Sequence, residues 1–206
     1  MKQSGHGSRP FFAAWYDAMN RRADRGELGK RRQALFGQLS GRVLDVGIGT
    51  AETVKHVPLT VSGMIAVEPD PAMVRRARQR LDGARVPVRL VRSLGERLPF
   101  GHASFDAAVV ALVLCTVDDP DATLAELHRV VRPGGKLFLM EHVRATDDEL
   151  AAWQDRLARP WAWLNGGCRP NRRTLEAVEA AGFRLATLER YGFPALPHVQ
   201  GFAVRP

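Results

Sequence analysis

The residues best equipped for chemistry in this chain of 206 residues begin with Leu44-Asp45-Val46-Gly47-Ile48-Gly49-Thr50-Ala51-Glu52. A carboxylate stands two residues ahead of a Gly-x-Gly turn. Gly has no side chain in the way and accepts unusual dihedrals, so such a turn lets backbone approach a nucleotide closely. A dinucleotide fingerprint would need a third Gly at position 52, where this chain has Glu, so a pyrophosphate seat is disfavoured. Asp45 is placed to face a cation, which suits a sulfonium cofactor carrying an ammonium group better than one carrying phosphates. Glu68, in Val67-Glu68-Pro69-Asp70, follows Gly49 by nineteen residues, the interval at which an acidic residue reaches a ribose diol. Alone, a carboxylate here also reads as a helix N-cap, a part that suits Asp70. Gly turn and Glu68 together point to an adenosine-type ligand with a free ribose. Further on, Leu94-Gly95-Glu96 offers a Gly where a flat base could slide against backbone, although an ordinary loop reads the same way.

A second set of residues bears on whatever meets that ligand. His142 ends an apolar strand at the edge where open α/β sheets bind ligands, and two roles are open to it: general base, or a structural imidazole hydrogen-bonded beneath the pocket. Tyr16 has two readings as well, as part of a lid helix and as core on a stripe with Phe12, Trp15 and Met19. Cys115 and Cys168 form no CxxC or CxxH pattern, so no metal site and no disulfide framework is expected, and each reads as a small buried hydrophobe. Trp153, Trp161 and Trp163 fit an apolar substrate pocket or the packing of their helix on the sheet. His198 carries the same pair of readings.

These residues need a scaffold, and the pattern supplies one. Phe11–Arg22 and Glu27–Leu39 read as helices separated by Gly26. Short apolar runs then alternate with helical stretches, the mark of βαβ units and a parallel sheet. The strand candidates are Arg42–Val46, Gly63–Val67, Val86–Arg92, Phe105–Ala111 and Lys136–His142. Helices are expected at Thr50–Val57, Asp70–Leu81 and Asp121–Val131, the last stopped by Pro133-Gly134-Gly135. A helix over Asp148–Leu164, a loop at Asn165–Pro170, a helix over Arg172–Ala181 closed by Gly182, and two final strands complete the chain. A doubly wound α/β fold with a mostly parallel seven-stranded sheet is expected as a single domain over 1–206. Within it, 1–40 holds N-terminal lid helices, 41–145 the cofactor-binding core, and 146–206 the C-terminal helices and last strands. The Gly/Ser/His opening is expected to fray.

Composition excludes other classes. At 45% hydrophobic and 25% charged residues the chain is globular in usage. Its length allows roughly 70% of the unfolded surface to be buried, so no staple is required. The net charge of +8 comes almost wholly from Arg, but the arginines are scattered and lack aromatic interleaving, so nucleic acid is not an expected partner. No apolar window spans a membrane and the first ten residues hold no signal-peptide core, which leads to the expectation of a cytoplasmic protein, monomeric or homodimeric, with no integral membrane segment.

The ordered segments LDVGIGT, AVEPDPAM, GERLPF, FDAAVVALVL and RVVRPGGKLFLMEH resemble the class I S-adenosylmethionine-dependent methyltransferases over about Arg42–His142. That resemblance implies S-adenosyl-L-methionine as cofactor. The Gly47–Gly49 turn, with Asp45, would hold its methionine part, and Glu68, with Pro69 beside it, its ribose. Met73 and Leu94-Gly95-Glu96 would hold adenine, and Ala111-Leu112 would face the sulfonium. Ala51 departs from a pattern in which many members have a third Gly. Leu112–Val117, Met140–Val143, Trp153-Gln154, Pro160-Trp161, Gly167-Cys168 and His198–Val204 look like the thiol methyltransferase-like group. Members with a membrane helix carry it N-terminally, and a membrane-embedded substrate is not expected here. The expected activity is methylation of a small, fairly apolar molecule, with a thiol the leading acceptor. Phospholipid or quinone-type N-, C- or O-methylation is the first alternative, ahead of a nicotinamide-dependent oxidoreductase or an RNA-binding module.

Overall fold

The computed structural model describes residues 8–206; the fraying expected of the opening falls on residues 1–7, outside the described residues. Seven strands form one sheet: β1 (Gly41–Val46), β2 (Val61–Val67), β3 (Val88–Val91), β4 (Phe105–Ala111), β5 (Val131–His142), β6 (Arg184–Phe193) and β7 (Leu196–Val204). Their order is β3-β2-β1-β4-β5-β7-β6. The first five run parallel, and β7 enters antiparallel between β5 and β6. Central strands covered on both faces need unbroken apolar sequence, and Val43, Leu44 and Val46 of β1 and Ala107–Val110 of β4 are all buried. The expected doubly wound sheet is present.

The helices are α1 (Pro10–Ala23), α2 (Glu27–Phe36), α3 (Pro71–Leu81), α4 (Pro120–Val130), α5 (Asp148–Leu164) and α6 (Thr174–Ala180). Asp70 caps α3 by accepting from the Ala72 amide, and Asp119 caps α4 by accepting from Ala122, each with Pro in the first turn. The stripe Leu124, Leu127 and Val130 of α4 turns inward onto Leu44, Val110 and Leu139. On the other sheet face, Leu35 and Phe36 of α2 join Val43, Met64, Val109 and Phe138. Strand order reverses between β1 and β4, so the connections leaving them part and open a crevice at their C-terminal ends.

Several expectations need correction. The helix expected over Thr50–Val57 is a short 3-10 turn, Glu52–His56, because Ala51 adopts the left-handed region at φ 61° and blocks a longer helix. The α2 helix ends at Phe36 and leaves Leu39 in the following loop. Pro133-Gly134-Gly135 does not stop α4, which has ended by Val130; it makes an irregularity within β5, where Val131 pairs with Phe105 but Lys136 with Ala107. The apolar stripe of α1 is turned outward in part: Trp15 and Met19 are exposed, whereas Ala13, Asp17 and Asn20 are buried. The helix docks on α3 both through ion pairs, Asp17 meeting Arg80 at 2.6 Å and Arg76 at 3.4 Å, and through an apolar contact of Phe12, Ala13 and Tyr16 with Ala72 and Met73. Trp153 and Trp163 are exposed and pack neither a pocket nor the sheet.

Candidate active site

The turn after β1 carries three consecutive left-handed positions at alternate residues, Gly47 (φ 73°), Gly49 (φ 60°) and Ala51 (φ 61°). A Cβ on Gly47 would stand 2.5 Å from Val113 Cγ2, so the first Gly is required by a close approach as well as by its dihedral. Glu68, buried at the end of β2, binds the turn directly: its Oε2 accepts from the Gly49 amide at 3.0 Å and its Oε1 from the Asp70 amide at 2.9 Å.

Asp45 is 2% exposed, and its Oδ2 has no hydrogen-bond partner among the described residues. Burial, and secondarily the negative Glu68, push its carboxyl up to about 8. A buried carboxylate lacking a donor is a costly arrangement that a bound cation would relieve. This orphaned oxygen in a Gly-built turn fits the ammonium end of S-adenosylmethionine. Tyr16, Asn20, Arg32, Asp45, Gly47 and Ala111 line one narrow cleft at this edge. A roomier hollow at the other end of the strands, between Arg42, Met64, Val88 and Phe105, touches none of these residues.

Tyr16 does sit over the cleft. Its Cε1 lies 3.6 Å from the place of a Cβ on Gly49, its ring stacks on Phe12 at 5.8 Å, and burial raises its phenol. Met73 is buried with Ala13 and Ala72 against Phe12 and Tyr16, which places it beneath α1. Gly95 is buried against Thr123 and Val46, Leu94 is partly exposed, and Glu96 accepts from the Asp119 amide at 3.3 Å. Pro69 follows Glu68 and its carbonyl accepts from Arg92. Ala111 ends β4, and Leu112 beyond it is held at φ 61°, an uncommon and strained conformation for a bulky residue.

The connection after β4 is organised by a residue that received no role in the sequence reading. Glu141 is fully buried, and its carboxylate accepts from the amides of Val113 at 2.7 Å, Leu114 at 3.0 Å and Cys115 at 3.2 Å. Burial raises its carboxyl and the three amides oppose that rise. A charged residue ending the apolar run Leu137–Met140 was the available signal. Arg172 clamps the same connection through the carbonyls of Leu114 and Val117.

His142 is next in the chain, and two cysteine sulfurs surround one of its ring nitrogens. Its Nδ1 lies 3.6 Å from Cys115 Sγ and 3.4 Å from Cys168 Sγ, and the two sulfurs are 3.6 Å apart. His142 thus meets two sulfurs with one nitrogen, and its ring lies tilted against His198 at a centroid distance of 4.2 Å. The contact with Cys115, then that with His142, pulls the Cys168 thiol down against burial, while Cys115 is pushed up by Cys168 and by its own burial. Both cysteines are buried, as expected, yet they are gathered with a histidine into a cluster that the sequence spacing concealed.

An open α/β sheet with this order, a Gly turn after β1 and a buried carboxylate after β2 that binds this turn define a nucleotide-binding type of fold. Comparison with known proteins narrows it. The family described as "Methyltransferase domain" matches residues 44–139. The human thiol S-methyltransferase TMT1A is 30% identical over 196 residues, covering 87% of this chain and 80% of the human protein. A ubiquinone/menaquinone biosynthesis C-methyltransferase of Syntrophotalea carbinolica is 28% identical, covering 94% and 89%. In three dimensions, geranyl diphosphate C-methyltransferase from Streptomyces coelicolor, solved with S-adenosyl-L-homocysteine, aligns at a TM-score of 0.71 with 13% identity over 87% of this chain and 79% of that one, a likeness of fold. The chain belongs to the class I S-adenosylmethionine-dependent methyltransferases, in the company of the thiol methyltransferase-like group. Its cofactor is S-adenosyl-L-methionine.

Proposed function

We propose that this enzyme methylates the sulfur of a small, fairly apolar thiol. The observation that carries the reading is the run of likeness to thiol S-methyltransferases over most of both chains. In this reading Asp45 and the Gly47–Gly49 turn take the cofactor's amino-acid end, Glu68 with Pro69 its ribose, and Met73 with Leu94-Gly95-Glu96 its adenine. Tyr16 closes the cleft, and Ala111-Leu112 present the sulfonium to the acceptor. The acceptor sulfur displaces the cofactor's sulfur in line, the methyl moving while the pair of the broken bond stays on the cofactor. A thiolate is already a strong nucleophile toward a cation, so orientation does most of the work. One domain performs both tasks.

The likeness to a quinone C-methyltransferase, and to a phosphatidylethanolamine N-methyltransferase of Cereibacter sphaeroides at 30% identity over 63% of this chain and 64% of that one, supports a second reading of the acceptor. Methyl-labelled cofactor offered with matched alkyl thiols, quinols and amines separates the two. Label passing to thiols alone is the expected result. Turnover confined to quinols or to an amino-lipid would replace thiol methylation with the second reading.

A further inference from the structure

Cys115, His142 and Cys168 come from three separate segments: the connection after β4, the end of β5, and the loop between α5 and α6. Nothing in the cofactor site uses them. The three edges of the triangle they form, 3.6 Å between sulfurs and 3.4 and 3.6 Å from His142 Nδ1 to each sulfur, can be tested against coordination geometry. A tetrahedral zinc-class ion, with metal–sulfur bonds of about 2.3 Å and a metal–nitrogen bond of about 2.0–2.1 Å, requires edges of about 3.8 Å between sulfurs and about 3.6 Å from nitrogen to sulfur. The observed edges agree to within about 0.2 Å, the tolerance expected of a plausible metal site.

The geometry points to a binding site for one borderline-soft divalent ion of the zinc class, held by Cys115 Sγ, Cys168 Sγ and His142 Nδ1, with its fourth position open to an acceptor thiolate. Two sulfurs and one imidazole nitrogen are the donor set such an ion prefers, and three protein ligands with one vacancy are the form of a catalytic, not a structural, zinc site.

The surroundings hold the ligands where a metal would need them. Glu141 fixes the Cys115 amide, the Arg169 amide donates to the Cys115 carbonyl at 2.6 Å, and Thr174 Oγ1 donates to the His142 carbonyl at 3.3 Å. Gly167, at φ 102°, lies against Thr116 and permits the turn that leads into Cys168.

The site deepens the thiol reading and rests on it for the identity of the fourth ligand. On coordination the acceptor thiol gives its proton to water and keeps its electron pair. That pair then forms the new carbon–sulfur bond as the cofactor leaves as its neutral thioether.

The test uses the full chain, stripped with a chelator under reducing conditions and titrated with cobalt(II), whose charge-transfer absorption reports thiolate ligands. One equivalent should bind and be displaced by zinc. Adding a small alkyl thiol together with the demethylated cofactor, which blocks turnover, should shift the cobalt spectrum. Cys115→Ser and Cys168→Ser should each weaken the binding by more than about tenfold. Failure to bind cobalt at stoichiometric concentration would overturn the proposal, as would a Cys115–Cys168 disulfide in protein prepared under reducing conditions. A cobalt spectrum indifferent to thiol would overturn the open fourth position. If either variant fails to fold, the wild-type titration and its response to thiol decide. Full-rate thiol methylation by metal-free enzyme would discard the metal and keep the activity; a thiol-shifted cobalt spectrum without thiol methylation would keep the site and discard the activity.

Discussion

The two halves of the crevice are built by different means. On the side after β1 and β2 the working parts are close in sequence, and most of the contacts are to backbone: a turn of left-handed residues, and Glu68 reaching back nineteen residues to the Gly49 amide. On the side after β4 and β5 the parts come from far apart. Glu141 reaches back 28 residues to Val113, Arg172 reaches back 58 to Leu114, and Cys168 meets a sulfur 53 residues away. α1 bridges the halves, since Phe12 leaves no room for a side chain at Gly166 while Tyr16 covers Gly49. A local turn can keep its shape while its partner varies, whereas a long-range cluster depends on every segment docking. The difference makes the second half the more fragile.

The largest expected effect follows directly. Glu141→Ala leaves three buried amide donors without an acceptor and should cost roughly 3–5 kcal/mol of stability by urea denaturation, with Glu141→Gln recovering part because it keeps one oxygen. A cost below about 1 kcal/mol would mean that the connection after β4 holds itself and would dissolve the contrast.

Glu68→Ala should act on binding more than on folding. The expected loss is about 1.5–3 kcal/mol of affinity for S-adenosylmethionine, measured by calorimetry on protein that still melts cooperatively. Unchanged affinity would place the ribose elsewhere.

Asp45 sharpens the comparison through pH. Burial, and secondarily Glu68, raise its carboxyl in the folded protein from the ordinary carboxylate range to about 8, so the native state holds a proton that the unfolded chain releases. Stability contributed by this group is therefore complete at low pH and is lost as pH rises toward 8. The charges facing the same cleft, Glu68 from β2, Glu52 and Arg32, and the phenol of Tyr16, share that field. A cationic cofactor favours the ionised form, so affinity should rise with pH by up to about tenfold per unit until Asp45 is ionised. Asp45→Asn should flatten both profiles; profiles that persist in the variant would assign the titration to another group.

The smallest effect is at Ala51. Replacing it with Gly removes the left-handed strain at φ 61° and should raise stability by up to about 1 kcal/mol, net of the extra freedom of the unfolded chain. A fall in stability would show that the Ala51 methyl, buried with Ile48 and Val54, contributes more by packing than it loses in strain.

The cofactor half was legible because its chemistry is local. Asp45, Gly47, Gly49 and Glu68 stand at intervals that a strand and a tight turn convert directly into distances, and the alternation of apolar runs with helical stretches specified the layered sheet around them. Element ends were less legible where one dihedral decided them, as at Ala51, or where a strand began before its expected start, as at Val131. The face that α1 buries was only partly read, because ion pairs of Asp17 with α3 and of Arg32 with Asp24, and the hydrogen bond Arg32 donates to Asn20, share it with Phe12 and Tyr16. Spacing says nothing about partners on another element.

Residue order by itself determined the fold class, the Gly turn after β1 and the carboxylate that closes on it, because hydrophobic period and short-range turn chemistry are properties of neighbouring residues. Only the tertiary structure brought Cys115, His142 and Cys168 to within 4.8 Å of one another and gave Glu141 its three amides. Those contacts join segments whose separation along the chain carries no distance information until the sheet order β1-β4-β5-β7 lays their ends side by side.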